Sequence, residues 1–559
     1  MKRFILFFFM LLCTLTSAVA ESTAFGTDNL SSYEVDGTTV TVTIGTAGDL
    51  STLVSTTWNS GSATPSEVAS STKVIISGPI NSSDAGVLYA FTGATTYDLR
   101  NATFGENVGS SIVVENSKSN VIVIVPGGTT TTVLATYNAS NIGLYASYSN
   151  GNKDLSVYFP TTITAETAAL INSSIKSDVE NLNIEGDVRA NITIDVSGLE
   201  YVNLIHITDS YNTAYSITLS GSATNVIASN GGIHTYWEDS KQISAPYITY
   251  TAAQVKNLIV IDTTNHQVTA TIANDGNLSE ALQLVDMLAV TSLTVVGKAT
   301  TTDAANLATL APALERLDLK QADVTATEFN ALNVPATLKS MVVPAGTTMT
   351  TSFKSLLQSN FSQLDYVYSP STDQTTTDVP DIVFVCQAGG LKEAFDNESG
   401  VKTALYLKVD SYTELNQADL TLNSYSPKKY EYLEFTDAKL SKTTVSDLAT
   451  SASSNLYRVI LPEGWTGEDM ATFNGVSTSP SDYRLAAYYS YSGNAPYRTL
   501  NILGLSNSYS TTALTNTPMI KDGIFAVNFV SGEYNSNTYG TFTTTCVRPS
   551  TVQTHASSR

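Results

Sequence analysis

The sequence predicts an α/β repeat solenoid, with stacked turns of short parallel strands and short helices and a β-rich balance overall. Three observations carry this. In Leu314-Glu-Arg-Leu317-Asp-Leu319-Lys-Gln-Ala322-Asp-Val324, apolar residues fall at relative positions 1, 4, 6, 9 and 11, and residues 94–104 and 430–440 repeat the spacing. Each copy is followed by a second apolar run ending in proline, at 123–126, 341–344 and 459–462. The two position-6 residues lie 26, 24 and 26 residues apart respectively, about one solenoid turn. A third motif, an alternating strand followed by glycine and a helical segment, recurs at Val40–Gly48, Val268–Gly276 and Ile382–Gly390.

Within one turn, positions 4 and 6 alternate with polar residues, which suits a strand with one buried face, and positions 9 and 11 are expected to carry the chain inward around a turn. This is the leucine-rich-repeat pattern, L-x-x-L-x-L-x-x-N/C-x-L, with Ala102, Ala322 or Ala438 where Asn or Cys is usual. The modules are therefore leucine-rich-repeat-like, and no turn can bury its apolar face without a neighbour.

Taken in order, Lys2 and Arg3 form a basic start, residues 4–12 an apolar run and Ala18-Val19-Ala20 a small-x-small cleavage site, so 1–20 is expected to be a signal peptide. Residues 21–38 show no period and are expected to be a polar leader. Repeat modules are expected at 39–152, 153–265, 266–375 and 376–495. The second is the most divergent and reads as a nearly all-β coil. In the third, strands are expected near 293–295, 317–319, 341–343 and 364–366. Helices are expected between them at 303–310, 327–332 and 351–358, with Asp303 and Thr327 at N-cap positions. Residues 496–559 hold strand-like runs, and the tail from Arg548 is expected to be disordered.

Composition narrows the partners. Charged residues make up 14% of the chain and the net charge is −22, and loss of Lys2 and Arg3 would take it to about −24, which repels nucleic acid and anionic lipid. No later segment is long and apolar enough to span a bilayer. Beyond the leader the only cysteines are Cys386 and Cys546, too few and too far apart for a disulfide framework. The four histidines, His206, His234, His266 and His555, have no metal-ligand spacing, and His206 reads as a structural strand residue. No nucleophile elbow, phosphate loop or dinucleotide fingerprint occurs, so no catalytic residue, cofactor or metal is expected.

The candidate ligand residues sit on the strands. Asp98, Asp318 and Glu434 share position 5, between the two buried positions, on what should be the open face of the sheet. Arg100 and Lys320 follow at position 7, and Arg316, Tyr432, Tyr457 and Arg458 add reach. A solvated sheet with weak cross-strand charge pairs would look the same. Tyrosine is abundant, 29 against 18 phenylalanines, and clusters at 145–148, 366–368 and 483–491, as recognition surfaces and strands both favour. His234-Thr-Tyr236-Trp237 could form a small sugar-stacking platform.

The L-x-x-L-x-L blocks, strand–Pro–x–Gly endings such as Val343-Pro344-Ala-Gly346 and the Ser/Thr-rich composition resemble the secreted leucine-rich-repeat surface proteins of Bacteroidetes over roughly residues 40–490. The resemblance implies a secreted or outer-surface adhesion and recognition protein without enzymatic activity. Its partner would be a protein or glycan, host molecules among them. The chain departs from the family in its irregular turns, its alanines at position 9 and the lack of a recognisable sorting signal or closing turn, which suggests a chain shorter than its relatives. A polysaccharide-cleaving parallel β-helix is the enzymatic alternative, which the helices after Gly48, Gly276 and Gly390 count against. A structural spacer is the third.

Overall fold

A computed structural model describes residues 22–129, 141–172, 178–205, 215–229, 233–238, 241–246, 248–251, 254–345, 347, 351–361, 363–370, 382–387 and 390–398. Further along it describes strand segments at 403–406, 432–435, 458–460, 498–501, 525–528, 543–548 and 551–556. The expected signal peptide, His206 and Tyr457 lie outside the described residues. The chain falls into two compact units, one drawn from Met1–His234 and Ala245–Thr264, the other from Thr235–Ser244 and Asn265–Arg559.

Each unit is built on a mostly parallel sheet. In the first, strands Thr39–Thr43, Lys73–Ile80, Thr96–Phe104, Val121–Val125 and Ile142–Ser149 pair in parallel. Asp154–Ile163 then joins antiparallel, and Asn181–Val188, Leu199–Ile205, Ala223–Ser229 and Val255–Asp262 continue in parallel. The second unit repeats the sequence of polarities. Gln267–Ile272, Ser292–Lys298, Arg316–Asp323, Ser340–Val342 and Tyr366–Ser369 are parallel. Ile382–Val385 is antiparallel, and Thr403–Tyr406, Tyr432–Phe435 and Arg458–Ile460 are parallel again. The solenoid is thus one plan used twice.

Several expectations change. The leader is folded: Thr23–Phe25 and Ser31–Asp36 add two antiparallel strands beside Thr39–Thr43. They bring Phe25 and Tyr33 (ring centroids 6.4 Å apart) onto the buried Trp58 (5.6 Å from Tyr33), which meets Phe91 edge-on. Period-2 alternation over so few residues is easily missed. The tail is not disordered throughout, since Thr543–Arg548 and Thr551–Ala556 pair antiparallel, in keeping with their β-branched Thr and Val residues. Between residues 153 and 265 the structure adds a second parallel sheet of Ile192–Asp195, Tyr215–Ser220 and Ile248–Thr251 and a short helix at Ala165–Leu170.

Position 9 does not leave the strand: Ala102 lies within Thr96–Phe104 and Ala322 within Arg316–Asp323, and of the position-11 residues Phe104 ends its strand while Val324 follows just after Asp323. Positions 6 and 9 are an odd number of residues apart, so in a regular strand they would face opposite sides. A one-residue bulge restores the phase. Ile75 pairs with Asp98 but Ser77 with Asn101, and Thr294 pairs with Asp318 but Val296 with Gln321. The extra residue lies at Leu99-Arg100 and again at Leu319-Lys320, and it turns Ala102 and Ala322 into the core, at 6% and 8% exposure. Just beyond, Gly78 pairs with Ala102 and Gly297 with Ala322, at φ +89° and +81°. A Cβ there would lie 2.0 Å from the Ile44 carbonyl oxygen or 2.2 Å from that of Ile272, so both positions require glycine.

The helices are tied turn to turn by acidic side chains. Leu278–Gln283 follows Gly276 as expected, capped by Asn277, whereas Thr301–Leu310 and Ala326–Asn330 start two residues and one residue before the expected sites, because Thr300 and Thr325 are the caps. Asp303, expected as a cap, is instead the third helical residue of a capping box. Its Oδ2 accepts from the Thr300 N–H (2.8 Å) and hydroxyl (2.7 Å), and its Oδ1 from the Ser279 N–H (2.8 Å) and hydroxyl (2.5 Å) of the preceding helix. Asp84 does the same in the first unit. It accepts from the Asn81 N–H (3.1 Å) in its own box and from the N–H groups of Gly48 (2.7 Å) and Ser51 (2.9 Å) in the previous turn. Buried carboxylates therefore satisfy the orphan donors of two helix starts at once.

Candidate functional site

The two position-5 aspartates do the same local job. The bulge leaves the N–H of position 7 without a ladder partner, and the aspartate two residues earlier takes it: Arg100 N–H donates to Asp98 Oδ1 (3.3 Å) and Lys320 N–H to Asp318 Oδ1 (2.8 Å). Their surroundings then differ.

Asp98 is 3% exposed, not on an open face as expected. Its register partner on the next strand is Ile124, and Ile122 and Ile124 belong to a second apolar core with Leu144, Ala146, Leu155 and Val157. Val121, Val123 and Val125 point the other way, into the core of Val74, Ile76, Tyr97 and Leu99. This strand is buried on both faces, so the nominally open side closes over Asp98. The carboxylate makes a bidentate pair with Arg100 (Nε to Oδ1 3.0 Å, Nη2 to Oδ2 2.7 Å), with Lys73 Nζ at 3.8 Å. The guanidinium stacks 4.9 Å above the Tyr148 ring. Its hydrogen bond to Asp98 holds the Arg100 pKa above its usual value, while burial raises that of Tyr148, partly offset by the charge of Arg100.

In the second unit Arg316 occupies the row of Ser292 and Ser340, with Tyr366 one strand further. Its Nη1 donates to Glu398 Oε1 and to the Tyr366 hydroxyl (3.2 Å), its Nη2 lies 3.6 Å from Asp318, and the Tyr366 hydroxyl donates to Glu398 Oε1 at 2.9 Å. Burial works against the Arg316 charge, but Glu398, Tyr366 and Asp318 outweigh it and raise its pKa. Burial, then the nearby Glu398 charge, raises the Tyr366 phenol. Glu398, 6% exposed, follows the helix Gly390–Asn397. Nothing in its sequence surroundings marks it; only the fold brings it to a strand some 80 residues earlier.

The structure thus gathers Asp98 with Arg100 in one unit and Arg316 with Asp318 in the other, with Lys320 exposed beside the latter. Tyr432 and Arg458 share a register on neighbouring strands, and Glu434 lies two residues on from Tyr432. Among the described residues no cluster of three or more His, Cys, Asp or Glu side chains gathers as metal ligands, and no helix is long and apolar enough to cross a membrane. Cys386 is a buried free thiol.

What stays open are the strands before both faces become buried. In the first unit Thr41 and Thr43 are exposed, Ser77 is half-buried beside Thr43, and Asn101 is exposed beside Ser77. In the second, Thr269, Thr271 and Thr294 are half-buried and Gln321 is exposed. These are hydroxyl and amide groups at equivalent strand positions of the two units, separated by about 4.8 Å across strands and about 7 Å along them.

No family model matches the chain, and no curated protein matches it. Among solved structures it is similar to that described as "Structure of the Toll - Spatzle complex, a molecular hub in Drosophila development and innate immunity", with 10% identity over 88% of this chain and 69% of the other. The TM-score of 0.17 gives that likeness no weight for fold or function.

Proposed function

We propose that this chain is a secreted or surface-exposed recognition protein without enzymatic activity, of the kind the leucine-rich-repeat surface proteins of Bacteroidetes represent, and that it binds a protein or glycan through the open face of its repeat sheet. The observation that carries the reading is the contrast between the two kinds of side chain on that face. The charged ones, Arg100, Arg316 and Asp318, are engaged with the buried Asp98, with one another or with Glu398, whereas the neutral side chains Thr41, Thr43, Asn101 and Gln321 are exposed, Thr43 accepting from the Ser77 hydroxyl at 3.4 Å. Arg100, Arg316 and Lys320 border this face, and Tyr432, Glu434, Tyr457 and Arg458 are proposed as ligand residues from their positions in the repeat pattern alone. Stiff strands carrying β-branched side chains lose little freedom on binding, as adhesion to an extended ligand requires.

The test is a glycan and matrix-protein binding array probed with the chain from residue 21, followed by a digestion assay on every glycan bound. Saturable binding without turnover supports the reading. Release of oligosaccharides overturns it in favour of a polysaccharide-cleaving enzyme, and silence in both assays removes recognition altogether.

A further inference from the structure

Resting on that reading, we infer that each chain carries two equivalent binding sites for a neutral polysaccharide, one on each unit, centred on Thr41, Thr43 and Asn101 and on Thr269, Thr271 and Gln321. The equivalence is structural. Thr41 and Thr269 each lie on the first strand of the parallel run, Asn101 and Gln321 each follow the bulge on the third, and the same Asp-to-N–H bond and the same left-handed glycine flank both. The bulge matters for the site as well as the core. By adding one residue it returns Ala102 and Ala322 inward and so turns Asn101 and Gln321 outward, onto the face of the threonines.

The chemistry of the face selects the ligand. Donors and acceptors at the named positions are hydroxyls and carboxamides, which exchange hydrogen bonds with sugar hydroxyls; the charges beside them in the first unit are the exposed carboxylates Glu34 and Asp36. The bulge aspartates carry their own cations, so they offer no vacant charge to a cationic ligand, and the net charge of −22 opposes a polyanion. Glu34 and Asp36 border the first site across from Thr41 and Thr39, which strengthens the bias against anionic sugars. A protein partner is disfavoured on separate grounds. Stable protein interfaces centre on buried aromatic or large apolar anchors, and the apolar side chains in these rows are Ile75 and Val296, both half-buried. A repeating neutral polymer presents the same hydroxyl pattern to each of the two arrays.

The test uses the full chain with a panel of neutral hexasaccharides (β-1,4-glucan, β-1,3-glucan, β-1,4-xylan, α-1,4-glucan and α-mannan) and their parent polymers. Equilibrium dialysis of the binding hexasaccharide should give two molecules per chain. Thr41→Lys with Thr43→Lys, and separately Thr269→Lys with Thr271→Lys, should each reduce this to one and leave the remaining site's Kd unchanged. All four positions are solvent-accessible, and the unmodified chain's stoichiometry decides the matter even if a variant misfolds. One molecule per chain, or loss of the same site in both variants, overturns the duplication. Binding only to an acidic glycan or a protein overturns the ligand class while leaving recognition intact; binding to no glycan or protein tested refutes recognition itself.

Discussion

Replacing Asp303 by asparagine tests whether one carboxylate holds two successive helices. The side chain is 3% exposed and accepts four hydrogen bonds, two from Ser279 and two from Thr300. Asparagine keeps the shape but offers one acceptor oxygen, so its NH2 must face one of the two donor pairs. Hydroxyls can rotate away; a backbone N–H cannot. One buried N–H then goes unsatisfied, about 1–3 kcal/mol, and the other two bonds lose their charge assistance, about 1 kcal/mol more. The expected local loss is about 2–4 kcal/mol. Hydrogen exchange read by mass spectrometry should therefore speed up in both Leu278–Gln283 and Thr301–Leu310, by roughly 30- to 1000-fold in the exchange-protected amides. Acid should mimic the substitution. Burial alone would raise the Asp303 pKa, but the bonds from Ser279 and Thr300 outweigh it and hold it below the usual carboxylate value. A group depressed on folding contributes stability above its unfolded pKa, about 3.9, and loses it as pH falls through the folded value. The wild-type chain should lose the extra protection below about pH 4, where the variant's disadvantage shrinks. Faster exchange confined to Thr301–Leu310 would refute the bridging role, since a capping box acting only on its own helix predicts that result.

Three further outcomes follow from the same geometry. Gly78→Ala and Gly297→Ala should each cost at least about 3 kcal/mol, combining a positive φ with a carbonyl clash, whereas Gly37→Ala, at φ +58° with nothing within 4 Å, should cost about 1–2 kcal/mol; equal urea midpoints for Gly37→Ala and Gly78→Ala would deny the clash. Arg316→Met should destabilise by about 3–5 kcal/mol by stranding Glu398, with Arg316→Met/Glu398→Gln recovering part of the loss, and a double-mutant cycle with no coupling would show the pair to be incidental. Burial, helped by the charge of Asp365, pushes the Cys386 thiol up to about 12, so iodoacetamide at pH 8 should label it only after urea unfolding, and rapid labelling of the native chain contradicts its burial.

Much of the fold was legible because its signals are local. The strands at Leu293, Leu317, Met341 and Tyr366, and helices near 303–310, 327–332 and 351–358, follow from spacing and cap chemistry that act over a few residues. What escaped depends on the third dimension. Val121-Ile-Val-Ile-Val125 shows no alternation because both of its faces are buried, and no sequence rule says that a neighbouring strand will close over Asp98. Glu398 and Arg316 are 82 positions apart, and neither residue type nor spacing forecasts their meeting. Position 5 reads from the sequence as an exposed acid; the first duty of Asp98 and Asp318 is to a backbone N–H that only a bulge leaves free.

The duplication itself shows why sequence comparison and physical reading part company here. The two units share the order of strand polarities, the bulge at the third strand, the glycine opposite it and the acid that joins successive helix starts. Few side chains are shared between them: Lys73-Val-Ile-Ile-Ser-Gly-Pro-Ile80 stands where the second unit has Ser292-Leu-Thr-Val-Val-Gly-Lys298. Of these two strands the glycine is constant, because there the backbone leaves no room for a Cβ, while the core positions keep only apolar character and tolerate exchange among Val, Ile and Leu. The outward rows are freer still, since a side chain there answers to solvent or a ligand and not to packing. Hydroxyl and amide groups do recur at matching outward positions, Thr41 with Thr269, Thr43 with Thr271 and Asn101 with Gln321, but the strand between them does not keep the pattern, since Ile75 stands where the second unit has Thr294 and Ser77 where it has Val296. Threonine is favoured on strands for its own sake, so the recurrence alone does not separate strand propensity from a ligand's demand; the number of ligand molecules bound per chain does.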